Sequence, residues 1–271
     1  MTKRSIDNLV GVVITLVVTL GLLTIVLPLI YAGAMSVDAR PYLAPFPPHE
    51  LSLQWYQRFF SSELYMRSLG ASLTISLTAA IASTAAGAGA AIAFSRLRTN
   101  SRDAVTLAMS APQITPHVVL GFGLLLLFSR LGLDNGYARL ILGHIIITIP
   151  YVFRLASASL VGVPPSILEA ASSLGARPRR ILSQIVLPMI RTGLVVSFIF
   201  ALAISLDDVG VAIFLTDANV TTLPVAMVGS MKSSFDLTIA AASMVLVLGA
   251  VVLLCVLNCF VSLDKILTGR S

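Results

Sequence analysis

The sequence predicts an all-α protein that crosses a membrane several times. Three properties carry this prediction: 57% of the 271 residues are hydrophobic, only 11% are charged, and the mean hydropathy is +0.95. A soluble domain averages about 25% charged residues. Several apolar runs also exceed the roughly 18 to 20 residues that a helix needs to cross a bilayer. The net charge of +6 does not indicate nucleic acid as a partner, because in a membrane protein the distribution of basic residues matters more than their total.

We expect six membrane spans within a single transmembrane domain, residues 1–271. The spans lie at about 9–34, 68–94, 104–131, 137–156, 192–215 and 237–261. The first apolar run is too long for a signal peptide, so we interpret it as a retained anchor. The second is rich in Ala, Gly, Ser and Thr. Since small residues let helices approach closely in lipid, we expect it in the interior of the helix bundle.

The segment between the first two spans, residues 35–67, divides into two parts. The first half contains Pro41 and three further prolines and predicts an irregular loop. The second half carries the aromatic residues Trp55, Tyr56, Phe59, Phe60 and Tyr65. Aromatic side chains gather at membrane–water interfaces, so this half predicts an amphipathic helix at the membrane surface.

The third span is interrupted by prolines at two positions. Pro112 and Pro116 enclose the polar Gln113 and Thr115, and His117 follows. Such a span is expected to be broken or kinked, and irregular backbone at membrane depth is tolerated only where protein or a cavity surrounds it. We therefore expect Pro112, Gln113 and His117 to line a route across the membrane. His144, in the fourth span, is interpreted as a packing residue.

Two adjacent carboxylates, Asp207 and Asp208, lie in the fifth span. A charge at membrane depth costs at least about 2.5 kcal/mol, so the pair should face a wet cavity or a partner and not lipid. One interpretation is that the pair attracts a cation. The other is that it caps a broken helix or pairs with an arginine. Because neighbouring carboxylates repel, one is protonated or the two point apart.

A polar, basic segment at about 164–188 separates the fourth and fifth spans. Ser166 and Glu169 have the spacing of a capping box, which predicts the start of a helix. The apolar face of this helix comprises Ile167, Leu168, Ala170, Ala171 and Leu174. Gly175 is expected to end it in the left-handed conformation, and Pro178 suits the first turn of a second helix that Pro188 ends or kinks. We expect a compact pair of short helices that can dock into a groove of another protein.

The same segment carries a longer pattern: Glu169-Ala170-Ala171, three residues, Gly175, nine residues, Ile185, one residue, then Leu187-Pro188. This pattern resembles the signature loop of ABC importer permeases, whereas a capping box accounts for Glu169 alone. The resemblance implies the type I (MetI-like) fold with a cytoplasmic coupling helix. The residues that would couple to the ATPase subunit are Glu169, Ala170, Ala171, Leu174, Gly175, Arg177 and Pro178.

The resemblance also implies a set of partners in the bilayer of the bacterial inner membrane. They are a second, non-identical permease, two ATPase subunits that hold ATP and Mg, and a periplasmic substrate-binding protein. Residues 200–215 and the Trp55-Tyr56 pair are similar to the spermidine/putrescine branch, which implies a small cationic amino compound such as a polyamine or an opine. Other branches carry ferric iron, phosphonates or amino acids.

The chain shows no pattern typical of an enzyme. His49, His117 and His144 are scattered, a Walker-type phosphate loop is missing, and no cluster suits a metal or a cofactor. We therefore expect a transporter subunit. The alternative is a proton-coupled carrier that uses Asp207, Asp208 and His117 as a relay. A carrier has no use for the coupling segment, and no inverted repeat is evident.

The basic residues predict the orientation. The stretches expected inside hold 12 of the 18 Lys and Arg residues, namely Lys3, Arg4, Arg96, Arg98, Arg102, Arg154, Arg177, Arg179, Arg180, Arg191, Lys265 and Arg270. By the positive-inside rule, both termini and the coupling segment face the cytoplasm.

Overall fold

The structure is a computed structural model, and it describes residues 3–40, 45–95, 99–233 and 236–261. The regular elements of these residues are helices, and one isolated β-bridge pairs Asp38 with Leu51. This confirms the all-α fold. The elements are α1 (Lys3–Ser36), α2 (Gln54–Ser61), α3 (Glu63–Ser95), α4 (Thr99–Ile114), α5 (His117–Arg130), α6 (Gly136–Val161), α7 (Pro165–Ser173), α8 (Pro178–Ile181), a π-helical segment (Leu182–Val186), α9 (Leu187–Asp207), α10 (Ala212–Leu215), α11 (Leu223–Ser233) and α12 (Thr238–Val261).

Five helices of the described chain are long and apolar enough to cross a membrane, and the number rises to the expected six if the bent pair of α4 and α5 is counted as one broken span. The helices extend beyond the predicted apolar runs, since α3 begins at Glu63 and α6 continues to Val161. Hydropathy detects only the part within the hydrocarbon, and the polar ends continue the same helix. Arg154, expected near the inner end of the fourth span, consequently lies seven residues before the end of α6. Among the residues expected in loops or at the termini, Pro41, Arg96, Arg98, Lys265 and Arg270 fall outside the described residues.

The third span is broken as predicted. Helices α4 and α5 meet at an angle of 99°. Pro116 causes the break, because it has no N–H to donate and it disfavours the helical conformation of Thr115. Pro112 lies inside α4 and does not end it.

The fifth span differs from the prediction at both ends. A helical run from Pro178 to Asp207 replaces the expected 192–215, and α10 follows after a break. Pro188 does not end the helix: the π-helical segment directly precedes it, and α9 continues through it. The wider π turn accommodates a residue that cannot donate to the ladder.

The chain divides into two compact units, and the first comprises Met1–Glu63 with Gly229–Leu248. Trp55 and Phe59 of α2 are buried in it, and Trp55 packs against Met35 and Leu237. The Trp55 indole N–H donates to the backbone oxygen of Asp38 at 2.6 Å. The expected helix exists, but these two aromatic side chains pack within the protein and not against lipid, so the predicted surface position is wrong for them.

The second unit comprises Leu64–Val228 with Gly249–Ser271. Its α3 buries small residues, including Ala79, Ala80 and Ser83, which confirms the predicted interior helix. Helices α6 and α9 form the most extensive helix pairing in the described chain. The segment between the fifth and sixth expected spans, 216–236, contains α11, whose first N–H, that of Leu223, donates to Ser72 Oγ at 2.8 Å.

Candidate coupling surface and transport route

Helix α7 begins two residues earlier than the capping box at Ser166 suggested. Pro164 occupies the N-cap position without a side-chain hydrogen bond, and Pro165 is the first helical residue. The backbone N–H of Ile167 donates to the Pro164 carbonyl at 3.2 Å. Because Pro165 has no N–H to satisfy and suits the first turn, Ser166 does not cap the helix. The predicted capping box is therefore wrong, and Glu169 is free of that role.

The end of α7 matches its prediction. Gly175 has φ +77°, the left-handed conformation that favours glycine. Its N–H donates to Ser172, and the Ala176 N–H donates to Ala171, each at 3.0 Å. This pair of hydrogen bonds is the Schellman motif, which satisfies the last carbonyls of a helix. Pro178 then opens α8, as expected.

The apolar residues of α7 divide between two faces. Leu168 and Ala171 pack on a buried cluster with Val163 and Ile181. Leu174 is 88% exposed. The residues that face outward, here called the coupling surface, are Ile167, Glu169, Ala170, Leu174, Arg177 and Pro178.

Two of the predicted route residues, His117 after the break in the third span and Asp208 after the end of α9, are in contact. His117 Nδ1 lies 2.8 Å from Asp208 Oδ1. The second oxygen of Asp208 accepts the backbone N–H groups of Val211 and Ala212, each at 3.0 Å. The Asp208 side chain is only 2% exposed. Asp208 thus caps a helix, as one of the two interpretations proposed, and its side-chain partner is a histidine and not an arginine.

The other predicted route residues lie apart from this contact. Asp207 is exposed, and no hydrogen bond or ion pair connects its carboxylate to the described part of the chain. Gln113 Oε1 accepts from Arg154 of α6 at 3.4 Å. The two aspartates therefore have different surroundings, as the repulsion between neighbouring carboxylates suggested.

Sequence reasoning missed two residues of this region. Ser205 Oγ lies 2.6 Å from His144 Nδ1 in the buried interior, so His144 packs as predicted, although its Nε2 finds no partner among the described residues. Gly210 packs against the Cβ of His117. Ser205 and Gly210 both flank the aspartates in the sequence. A polar Ser and a Gly so close to a charged pair in a membrane helix could have indicated that they contribute to this region. The described residues contain no group of three or more His, Cys, Asp or Glu able to hold a metal.

Comparison with known proteins identifies the chain. Residues 83–263 match the family model described as "Binding-protein-dependent transport system inner membrane component". The chain belongs to this family. It is a permease of the ABC importer class, and ATP hydrolysis takes place in a separate subunit.

This permease is similar to transport proteins of known assignment. It is 33% identical to the putrescine transport system permease protein PotI of Escherichia coli (strain K12) over 74% of this chain and 73% of that protein. It is 32% identical to the spermidine/putrescine permease PotC of Haemophilus influenzae over 67% of this chain and 71% of that protein. A third relative is a putative 2-aminoethylphosphonate permease, PhnV, of Salmonella paratyphi A, with 29% identity over 67% of this chain and 71% of that protein.

The permease also shares its fold with a solved structure. A chain of the bacterial alginate ABC transporter, in complex with an alginate pentasaccharide-bound periplasmic protein, matches with a TM-score of 0.72. The match covers 94% of both chains at 18% identity, and it shows the fold alone. Together with the spans, it establishes the predicted type I importer fold.

Proposed function

We propose that this permease imports a small organic cation of the polyamine type from the periplasm to the cytoplasm. The observation that carries the proposal is the exposed, unpaired carboxylate of Asp207 at the break in the fifth span. An aspartate at membrane depth is costly in lipid, and a passing ammonium group would neutralise it. The similarity to putrescine and spermidine permeases supports the same class of cargo.

The partners follow from the family and from the coupling surface. Two ATPase subunits that hold ATP and Mg would receive the coupling surface, a second, non-identical permease would complete the route, and a periplasmic binding protein would deliver the cargo. In this arrangement the exposed Leu174 and Arg177 would contact an ATPase subunit. In the proposed orientation, both termini and the coupling surface lie in the cytoplasm.

A binding and uptake assay tests the cargo. The partner binding protein is titrated with putrescine, spermidine, 2-aminoethylphosphonate, an opine, amino acids and ferric iron, and uptake of each bound compound is measured in proteoliposomes that contain the whole importer. We expect binding and uptake of a polyamine. Preference for 2-aminoethylphosphonate, which the PhnV relative makes the second candidate, or for ferric iron would overturn the polyamine proposal.

A further inference from the structure

The two adjacent aspartates differ in what can reach them. The Asp208 side chain is 2% exposed, and both of its oxygens bond within the chain, one to His117 and the other to two backbone N–H groups. Asp207 is exposed, and its carboxylate has no partner in the described residues. A cation in a water-filled route can therefore contact Asp207, whereas the carboxylate of Asp208 is already enclosed by protein.

Asp208 connects the breaks of two spans. It follows the last residue of α9, and His117 is the first residue of α5, directly after the break in the third span. Its carboxylate also accepts the N–H groups at the start of α10. The partial positive charge at the N-terminus of α5 favours a carboxylate at this place. One side chain thus fixes the ends of three helices.

Close packing around two glycines also fixes the position of His117 relative to Asp208. A Cβ at Gly210 would lie 2.6 Å from the Cβ of His117, and a Cβ at Gly121 would lie 2.9 Å from the Cα of Val211. Neither neighbour is the movable end of a long side chain, so these two positions leave no space for a larger residue. The segment 208–212 and the first turns of α5 therefore pack together with almost no clearance.

We propose that Asp208 is a positioning residue that, together with His117, locks segment 208–212 against α5, and that Asp207 alone contacts the cationic cargo. This inference rests on the proposed import of an organic cation. It replaces a shared role of the two aspartates by two separate roles. The lock sets where the Asp207 carboxylate stands, and Asp207 selects for positive charge.

The first test concerns Asp207 in the complete importer, reconstituted with its partner subunits and binding protein. Asp207→Asn should lower putrescine uptake by about tenfold or more, the size expected when a charge-assisted contact is lost. The melting temperature and the assembly of the importer should stay at the wild-type level. Asp207→Glu should recover most of the uptake. Full uptake by Asp207→Asn would overturn the assignment of the cargo contact.

The second test uses double-mutant cycles on the melting temperature. His117→Ala and Asp208→Asn should each lower it, and the double variant should fall no further than the worse single variant, because both remove the same contact. His117→Ala with Asp207→Asn is the matched cycle and should be additive. Additive behaviour of His117 with Asp208 would overturn the lock.

A third measurement reports the position of residue 207 itself. In a cysteine-free background, Asp207→Cys is labelled with a cationic thiol reagent, with and without Asp208→Asn. Asp208→Asn should change the labelling rate at residue 207 and leave the rate at Leu174→Cys unchanged. Gly210→Ala should act in the same way by displacing His117. Gly123→Ala, on α5 with His117, introduces a Cβ with no neighbour within 4 Å and should have no effect.

The outcomes separate this inference from the proposed cargo. If the wild-type importer takes up no polyamine, the cation proposal fails, while the cycle between His117 and Asp208 and the labelling at residue 207 still decide on the lock. Equal labelling rates at residue 207 in both backgrounds would show that Asp208 does not position it.

Discussion

Gly175 shows how one residue determines the form of the coupling surface. Its φ of +77° ends α7 and turns the chain into α8, which begins at Pro178. A residue with a side chain pays roughly 1 to 2 kcal/mol for this conformation. The rest of the surface therefore depends on a position that contributes no side chain of its own.

Substitutions at Gly175 and at Glu169 of α7 should uncouple transport from ATP hydrolysis. Gly175→Pro, which cannot adopt a positive φ, and Glu169→Lys, which reverses an exposed charge, should abolish transport-coupled ATP hydrolysis while the permease still inserts in the membrane. Gly175→Ala should retain part of the activity, because it loses only about 1 to 2 kcal/mol. Uptake and ATPase rates in proteoliposomes provide the measurement, and full transport by either severe variant would contradict the coupling role.

A second prediction at the residue scale concerns Asp38 and its dependence on pH. Hydrogen bonds from the Arg40 guanidinium, at 2.6 to 3.0 Å, hold the pKa of the Asp38 carboxyl below its ordinary value, and they outweigh burial, which acts in the opposite direction. A lowered pKa in the folded state stabilises the fold above the ordinary value, about 3.9, and this stabilisation is lost as the pH falls through the folded pKa.

The single tryptophan of the chain, Trp55, reports on this site because its indole donates to the Asp38 carbonyl. Arg40→Gln should move the acid transition of Trp55 fluorescence to a higher pH. Arg58→Gln, which removes an exposed ion pair with Asp236, is the control and should leave the midpoint in place. An unchanged midpoint in Arg40→Gln would exclude Arg40 as the cause.

At the scale of elements, the sequence predicts the features that depend on neighbouring residues, but it does not predict contacts between residues far apart in the chain. The helix, glycine turn and second helix from Pro165 to Ile181 follow from neighbouring residues, and so does the break at Pro116. The contact of His117 with Asp208 joins residues 91 positions apart, and neither residue type specifies such a partner. The fifth span was expected to continue to residue 215, because the apolar residues beyond Asp207 continue the hydropathy pattern, although one of the two interpretations of the aspartates was a cap on a broken helix.

The pairing of α6 with α9 depends on a close approach at Gly193. A Cβ at this position would overlap the Ser159 hydroxyl and would lie 2.6 Å from its Cβ, so rotation of Ser159 does not make room. Gly193→Val should destabilise the permease by about 1 to 3 kcal/mol through overpacking. Ser159→Gly in the same chain should recover part of the loss. Thermal unfolding in detergent measures both, and Gly70→Ala, with nothing within 4 Å, is the control.

At the scale of the whole molecule, the charge distribution predicts an orientation that surface residues can test. Leu174 is 88% exposed and Leu51 is 75% exposed, and the proposed topology places them on opposite sides of the membrane. After replacement of Cys255 and Cys259 by serine, Leu174→Cys should react with an impermeant thiol reagent only in inside-out vesicles. Leu51→Cys should react only in intact, right-side-out vesicles. The reverse pattern would invert the topology.

The helical run from Pro178 to Asp207 has a mechanical consequence. Its 30 residues correspond to about 45 Å of continuous helix, with the coupling surface at one end and the free carboxylate at the other. Such a run is expected to move as one stiff body, because a helix transmits tilt and rotation along its length and a flexible loop does not. The π-helical segment at Leu182–Val186 is the one place near its base where the hydrogen-bond ladder is widened. In the proposed arrangement, an ATPase subunit that tilts the Pro178 end of this run would also displace Asp207 at its other end, and no relay of side chains would be needed between them.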